Sequence, residues 1–196
     1  MNADKDKTDM LVWIDVETTG LDPDKGDLLE VELVLTDLKG EKLDRVHHVI
    51  AHDADIIKTG IDHGGLNAIA MHFRNDLLVE SLTARNASTL TLAGLEINDK
   101  LREWADGHRL HPAGTNVDFD LAWLTHHLPY TNRLNQLNHR KLDLTSLRLT
   151  SLALGHNPYQ HGHDTTHRTR DCLTRDLNEY RHILNRLAEF ATKETT

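Results

Sequence analysis

Cysteine is almost absent from this 196-residue chain: Cys172 is the single one, which excludes an internal disulfide and fits a reducing compartment. Long apolar runs are missing too, and nothing approaches the ~20 residues that a membrane-spanning helix needs. No membrane partner is therefore expected. Met1 to Asp9 is polar and reads as a disordered leader, not a signal peptide, so a cytoplasmic location is expected. Positive charge is scarce: 22 Lys and Arg face 31 Asp and Glu, a formal net charge of -9. Long polyanions are held mainly by basic surface and counterion release. A chain this acidic handles nucleic acid only where metal ions and a few local Arg, Lys or His supply the positive charge, and it should prefer short ends to long duplexes. Internal repeats and dividing linkers are also lacking, so residues 10–196 read as a single domain.

What is present is ordinary for a soluble globular protein, with 38% hydrophobic and 27% charged residues. The 15 histidines are read mostly as solvated surface. Period-2 patterns predict strands over 10–17, 28–37 and 42–50, the last two joined by a hairpin turn at 38–41. Short helices are expected at 61–71 and 76–82. A longer one is expected at 89–105, with Leu92, Leu95, Leu101 and Trp104 as its apolar period. Strands at 108–114 and 141–144 alternate with helices at 119–128 and 145–154. A polar loop with three histidines, 156–166, precedes a last helix at 167–192. That helix carries Leu173, Leu177, Tyr180, Leu184 and Leu187 on one face. The order implies an α/β fold: a mixed sheet of three antiparallel leading strands plus parallel strands, flanked by helices.

The stretch Leu11-Val12-Trp13-Ile14-Asp15-Val16-Glu17-Thr18-Thr19-Gly20 organises the rest. Side chains alternate along a strand, so Asp15 and Glu17 share a face. Two like charges at the end of a buried strand are costly unless a cation sits there. Thr18-Thr19-Gly20 then opens space in front of them. Asn116-x-x-x-Asp120 opens a helix near the middle of the chain, where an Asp also reads as a cap worth about 1 kcal/mol. His167-Arg168-Thr169-Arg170-Asp171 opens the last helix, where an ion-paired first turn is the plainer reading.

Taken together, Asp-x-Glu on the first strand, Asn-x-x-x-Asp at a helix start and His followed by Asp on the last helix resemble the DEDDh 3′–5′ exonucleases. Those enzymes have an RNase H-like fold. Within them the chain looks most like oligoribonuclease, through 12–23, 29–37, 140–147 and 166–168. The resemblance implies a metal-dependent exonuclease of short single-stranded RNA or DNA, often a homodimer. Two ions, Mg²⁺ or Mn²⁺, would lie about 3.5–4 Å apart on hard oxygen ligands. It implies that Asp15, Glu17, Asp120 and Asp171 hold the metal and that His167 is the general base. Thr18, Leu21, Asn116, Arg140 and Ser146 fall on the substrate side: Leu21 as an apolar wedge on a terminal base, Arg140 and Ser146 (or Thr145) as holders of a terminal phosphate.

The chain departs from the pattern in places. The family spaces its last pair as His-x-x-x-x-Asp, and from His167 that spacing lands on Cys172, one residue past Asp171. Asp171, Cys172 and Asp176 are the three candidates for the fourth position, and Asp171 is taken here. At 100° per residue it lies roughly opposite the Leu173/Leu177/Leu184 face, whereas Cys172 and Asp176 flank that face. The family's Trp and His-x-x-Ser-Gly-Leu region has no match between Met71 and Leu82, and His139 stands where an aromatic precedes Arg140. The Asn116 to Asp120 spacing is that of proofreading-type exonucleases. Two alternatives follow: a proofreading or repair exonuclease on single-stranded DNA ends, and a non-catalytic nucleotide-end-binding protein with a decayed site.

Overall fold

A computed structural model describes residues 7–83, 87–130, 132–159 and 165–193, with side chains described as far as Glu189. Residues 1–6 of the expected leader and 160–164 of the His-rich loop, including His161 and His163, lie outside the described residues.

β1 (Thr8–Thr18) is the central strand. It begins earlier than expected because Thr8 and Asp9 pair with His108 and Arg109. β2 (Leu28–Thr36) runs antiparallel to it, and β3 (Lys42–Val49) antiparallel to β2. On the other side lie β4 (His108–Gly114), parallel to β1, and the short β5 (Leu142–Asp143), parallel to β4. The five-stranded order is β3-β2-β1-β4-β5. This is the mixed sheet of an RNase H-like α/β fold. The β2–β3 turn is set by Gly40, whose φ of 83° is left-handed, and by Asp37 Oδ1, which accepts from Lys39 N and Glu41 N.

Both sheet faces are covered, which is why β2 is buried at every position. Val12, Ile14 and Val16 of β1 pack with Ile97, Leu101 and Trp104 of α4 (Leu90–Trp104) and with Trp123 and Leu124 of α5 (Val117–His127). Leu11 and Trp13 face the other way, onto Leu144 of α6 (Leu144–Ala153) and onto Leu173, Leu177 and Tyr180 of α7 (Thr169–Lys193). Each fully buried aliphatic side chain contributes about 1.5–3 kcal/mol. The expected face of α4 is corrected: Leu92 and Leu95 are exposed, and Ala93, Ile97, Leu101 and Trp104 point inward. On α7 the core face ends before Leu187, which is exposed.

Between β3 and α4, three short helices cover the end of the sheet: α1 (Asp55–Asp62), α2 (Leu66–Arg74) and α3 (Leu77–Thr83). They pack Ile56, Ile69, Leu77 and Leu78 against Leu29 and Val49. The helix expected over 61–71 is divided at Gly65, where a Cβ would stand 1.9 Å from Thr19 O. That contact presses the start of α2 onto the segment leaving β1. Among the described residues no helix is long and apolar enough to cross a membrane.

Candidate active site

The face of β1 that carries Leu11 and Trp13 continues into Asp15 and Glu17, and α7 lies over it. Across the β1–β2 ladder Asp15 pairs with Glu32 and Glu17 with Glu30, which gathers four carboxylates on one face. Directly opposed like charges destabilise a sheet unless something compensates them. Glu30 and Glu32 are compensated. Arg168 Nη2 lies 2.9 Å from Glu30 Oε1, His47 Nε2 lies 2.8 Å from the same oxygen, and Thr169 N donates to Glu30 Oε2 at 3.1 Å. Burial works against the Glu30 carboxylate, yet His47 and Arg168 together hold its pKa below the ordinary value. Glu32 accepts from Thr169 Oγ1 at 3.3 Å and faces Arg45 Nε at 3.5 Å.

Asp15 and Glu17 are not compensated in this way. Burial, then repulsion from Glu30, raises Glu17 to about 8. Burial, then Asp120 and Glu17, raises Asp15 well above the carboxylate range. Asp15 Oδ2 is buried without a hydrogen-bond partner. His72 Nε2 is 3.7 Å from Glu17 Oε2, but burial lowers this histidine to about 4, so it is neutral at physiological pH and supplies no charge. Its 3.2 Å contact with Thr18 O helps fix the end of β1.

Asp120 joins this pair from α5. Pairing of β1 with β4 ends at Trp13 and Ala113, and the Val16 N–H beyond that point donates to Asp120 Oδ1 at 3.0 Å. Asp120 is buried, and burial outweighs that hydrogen bond, so its pKa is raised. It therefore does not cap the helix. The capping position is Asn116, left-handed at φ 56°, which makes no side-chain cap either. Asp118, the other acid of the first turn, points to solvent and pairs with Lys141.

On α7 the three candidates separate clearly. Asp171 is exposed and accepts a hydrogen bond from Thr166 Oγ1, so it is not brought to the other acids. Cys172 is buried, with Sγ 3.8 Å from Glu17 Oε1 and 3.3 Å from Thr165 Oγ1. Asp176 is buried as well, one turn on, and is held by Thr115 Oγ1 at 2.7 Å, Arg175 Nη2 at 2.7 Å and Arg148 Nη2 at 3.3 Å. The cause is the anchoring of the helix start. Thr169 sits on Glu30 and Glu32, and positions three or four and seven residues later share its face. That face carries Cys172 and Asp176 and turns Asp171 away.

His167 is exposed in a left-handed conformation at φ 52°, at the entry to α7. Asn75 Nδ2 donates to both Thr166 O at 2.8 Å and His167 O at 2.7 Å and ties this entry to the α2–α3 corner. Burial, and to a lesser degree the charge of His167, lowers the pKa of His72, which itself lies 3.7 Å from Glu17. Thr18 is buried, and its hydroxyl donates to Gly20 O at 2.6 Å, closing the turn. Leu21 follows it, 87% exposed. Arg140 and Ser146 are exposed. Asp143 ties Asn116 to the first turn of α6, which carries Ser146: its Oδ1 accepts from Asn116 N at 3.1 Å and Thr145 N at 2.8 Å. Thr18, Leu21, Asn116 and Ser146 lie at or beyond the carboxyl ends of β1, β4 and β5, where α/β sheets place ligands. Arg140 precedes β5, and its carbonyl contacts His111 Nδ1 at 2.9 Å, midway along β4.

Glu30, Glu32, His72 and Asn75 escaped the sequence reading. The two glutamates carried a usable signal: in Leu28–Thr36 they alternate with apolar residues, as Asp15 and Glu17 do on the neighbouring strand.

No family model matches the chain. It is 29% identical to the oligoribonuclease of Coxiella burnetii over 147 residues, covering 72% of this chain and 73% of that protein. With the oligoribonuclease of Dichelobacter nodosus it shares 26% over 189 residues, 93% of this chain and 97% of that one. These likenesses support the DEDDh 3′–5′ exonuclease superfamily, oligoribonuclease-like, and a 3′–5′ exonuclease by class. The fold is also that of Escherichia coli exonuclease I, solved in a zinc-bound form with single-stranded DNA. The match has a TM-score of 0.60 at 12% identity and covers 92% of this chain and 41% of that one. Counted from His167, the superfamily's fourth acid falls on Cys172, the residue packed against Glu17.

Proposed function

We propose that this 3′–5′ exonuclease shortens single-stranded oligonucleotides of a few residues, with divalent cations held at Asp15, Glu17 and Asp120 and with His167 as general base. One observation carries this reading. Of four carboxylates on one sheet face, Glu30 and Glu32 have protein counter-charges, whereas Asp15 and Glu17 hold raised pKa values and an orphaned buried oxygen. Such a donor set fits a cation. The carboxylates are hard oxygen ligands of the kind that Mg²⁺ and Mn²⁺ take. Two bound cations would supply a nucleophilic water and neutralise charge on the scissile phosphate.

The chain's own residues provide the rest. Val16 N orients Asp120 so that an oxygen remains for the site. Asn75 holds the backbone of His167 at the rim, within reach of solvent, where an imidazole can accept the proton of an attacking water. Leu21, apolar and exposed beside the acids, offers a surface for a terminal base. Arg140 and Ser146 supply a cation and a hydroxyl for a terminal phosphate, which limits the length of the bound strand. The net charge of -9 works against long polyanions in the same direction. A cytoplasmic location and a homodimer belong to the same reading; light scattering on the purified protein checks the dimer. The alternative, a single-strand DNA exonuclease acting on long ends, is favoured by the Asn116 to Asp120 spacing.

The test is a time course on a 5′-labelled five-nucleotide RNA with Mn²⁺. Stepwise loss from the 3′ end is expected, with Asp15→Asn and Asp120→Asn at least 10³-fold slower, the scale of a lost transition-state interaction of ~4 kcal/mol. Equal rates in wild type and Asp15→Asn would overturn the assignment. Binding without any turnover would favour the decayed end-binding protein.

A further inference from the structure

We propose that Cys172 is itself a ligand of the cation held by Asp15 and Glu17, and that this position consequently selects thiophilic divalent ions over Mg²⁺. The inference rests on the cation site proposed above and deepens it.

Four observations converge. First, one oxygen each of Asp15 and Glu17 and the sulfur of Cys172 lie within 4.8 Å of one another, the only such group among the described residues. Coordination bonds of about 2.0–2.3 Å put ligand atoms roughly 3.5 Å apart, so a rotamer adjustment of about 1 Å closes the group onto an ion. Second, Asp15 Oδ2 is a buried oxygen with no partner, on the residue that faces the sulfur. Third, the other α7 acids are engaged elsewhere. Asp171 is exposed with Thr166, and both oxygens of Asp176 are taken by Thr115, Arg148 and Arg175. Fourth, the sulfur is held in place from two sides, by Thr165 Oγ1 at 3.3 Å and Glu17 Oε1 at 3.8 Å.

The chemistry then follows. In the cation-free protein, burial and the neighbouring Asp15 keep the thiol protonated. As the sulfur–metal bond forms, the S–H bond breaks and its proton leaves to solvent; no electrons change hands. Thiolate is a soft ligand, favouring Co²⁺, Zn²⁺ and Cd²⁺, while Mg²⁺ demands oxygen and dehydrates reluctantly. A carboxylate at this point would keep the site hard. The cysteine makes one edge of it soft.

Cobalt(II) reads this directly. Because Cys172 is the one cysteine of the chain, any thiolate-to-cobalt charge-transfer absorption in the near ultraviolet must come from it. The full-length protein, stripped with a chelator, is titrated with Co²⁺ alone and then competed with Cd²⁺ or Mg²⁺. The expected result is a saturable charge-transfer band, displaced by Cd²⁺ at concentrations at least 100-fold below those at which Mg²⁺ displaces it. Cys172→Ser should lose the band while its thermal melt stays cooperative. Cys172→Asp should lose the band and gain at least tenfold in Mg²⁺-supported hydrolysis. Calorimetric Co²⁺ binding with no charge-transfer band, or equal Cd²⁺ and Mg²⁺ affinities in wild type and Cys172→Ser, overturns the proposal. In that event the exonuclease reading still stands if Asp15→Asn abolishes hydrolysis. Absence of any Co²⁺ binding overturns both.

Discussion

Glu17 and Glu30 stand opposite each other on β1 and β2, and only Glu30 has a protein cation within bonding distance, Arg168 at 2.9 Å. The pair divides the acidic face into a half compensated by protein cations and a half that is not. Arg168 also bonds Glu80 at 2.9 Å, and Thr169 N caps Glu30, so the compensated half anchors the start of α7. The same anchoring turns Cys172 and Asp176 toward Asp15.

Replacing Glu17 by Gln should stabilise the cation-free protein while abolishing its cation binding. Glu17 titrates near 8 in the folded chain against an ordinary 4.5. Between those values the folded state holds the extra proton. The stability this contributes is full below about 4.5 and is lost as the pH rises to about 8. The cation-free melting temperature should fall over that window, as Asp15 and Asp120, raised in the same sense, reinforce. Glu17→Gln should flatten the fall and melt several degrees higher at about pH 8. Calorimetric melts in chelator across the range check it; a Glu17→Gln melt below wild type at the alkaline end would contradict it.

Arg168→Met should destabilise the fold by about 3 kcal/mol, since it leaves Glu30 buried and short of charge. Adding Glu30→Gln should recover more than half of that loss. Urea unfolding of the two single variants and the double variant gives the coupling directly. A cost below about 0.5 kcal/mol for Arg168→Met would mean that the pair does not anchor α7.

Leu21→Ser should leave the melting temperature nearly unchanged, because the side chain is 87% exposed. Activity should respond differently. Loss of one apolar contact with a base removes about 1 kcal/mol, roughly fivefold, from kcat/KM on short substrates. Steady-state kinetics beside a thermal melt separate the two effects.

The order of strands and the Asp15/Glu17 pair were legible because they depend on local alternation and on charge. Asp120 was reached only through the family resemblance, since an Asp at a helix start reads by itself as a cap, which it does not form here. The fourth position was legible only in part: the helical wheel set Cys172 and Asp176 beside the core face and Asp171 away from it, as found, but did not fix the start of the helix. Which residue of α7 faces the sheet depends on where the helix begins, and that is set by Glu30 and Glu32, more than 130 residues earlier in the chain. Asp171 has the right chemistry but the wrong rotation. The division of the expected 61–71 helix was hidden for a similar reason: Gly65 is required by the carbonyl of Thr19, a contact no local pattern encodes.

The most direct test of the central claim is the length dependence of hydrolysis. Labelled two-, five- and twenty-nucleotide RNA and DNA are each incubated with Mn²⁺ and with Mg²⁺, beside Asp15→Ala. The expected result is metal-dependent 3′–5′ hydrolysis of the two- and five-nucleotide strands, at least tenfold faster than the twenty-nucleotide ones and lost in Asp15→Ala. Faster hydrolysis of twenty-nucleotide DNA than of the short strands would contradict the short-substrate account.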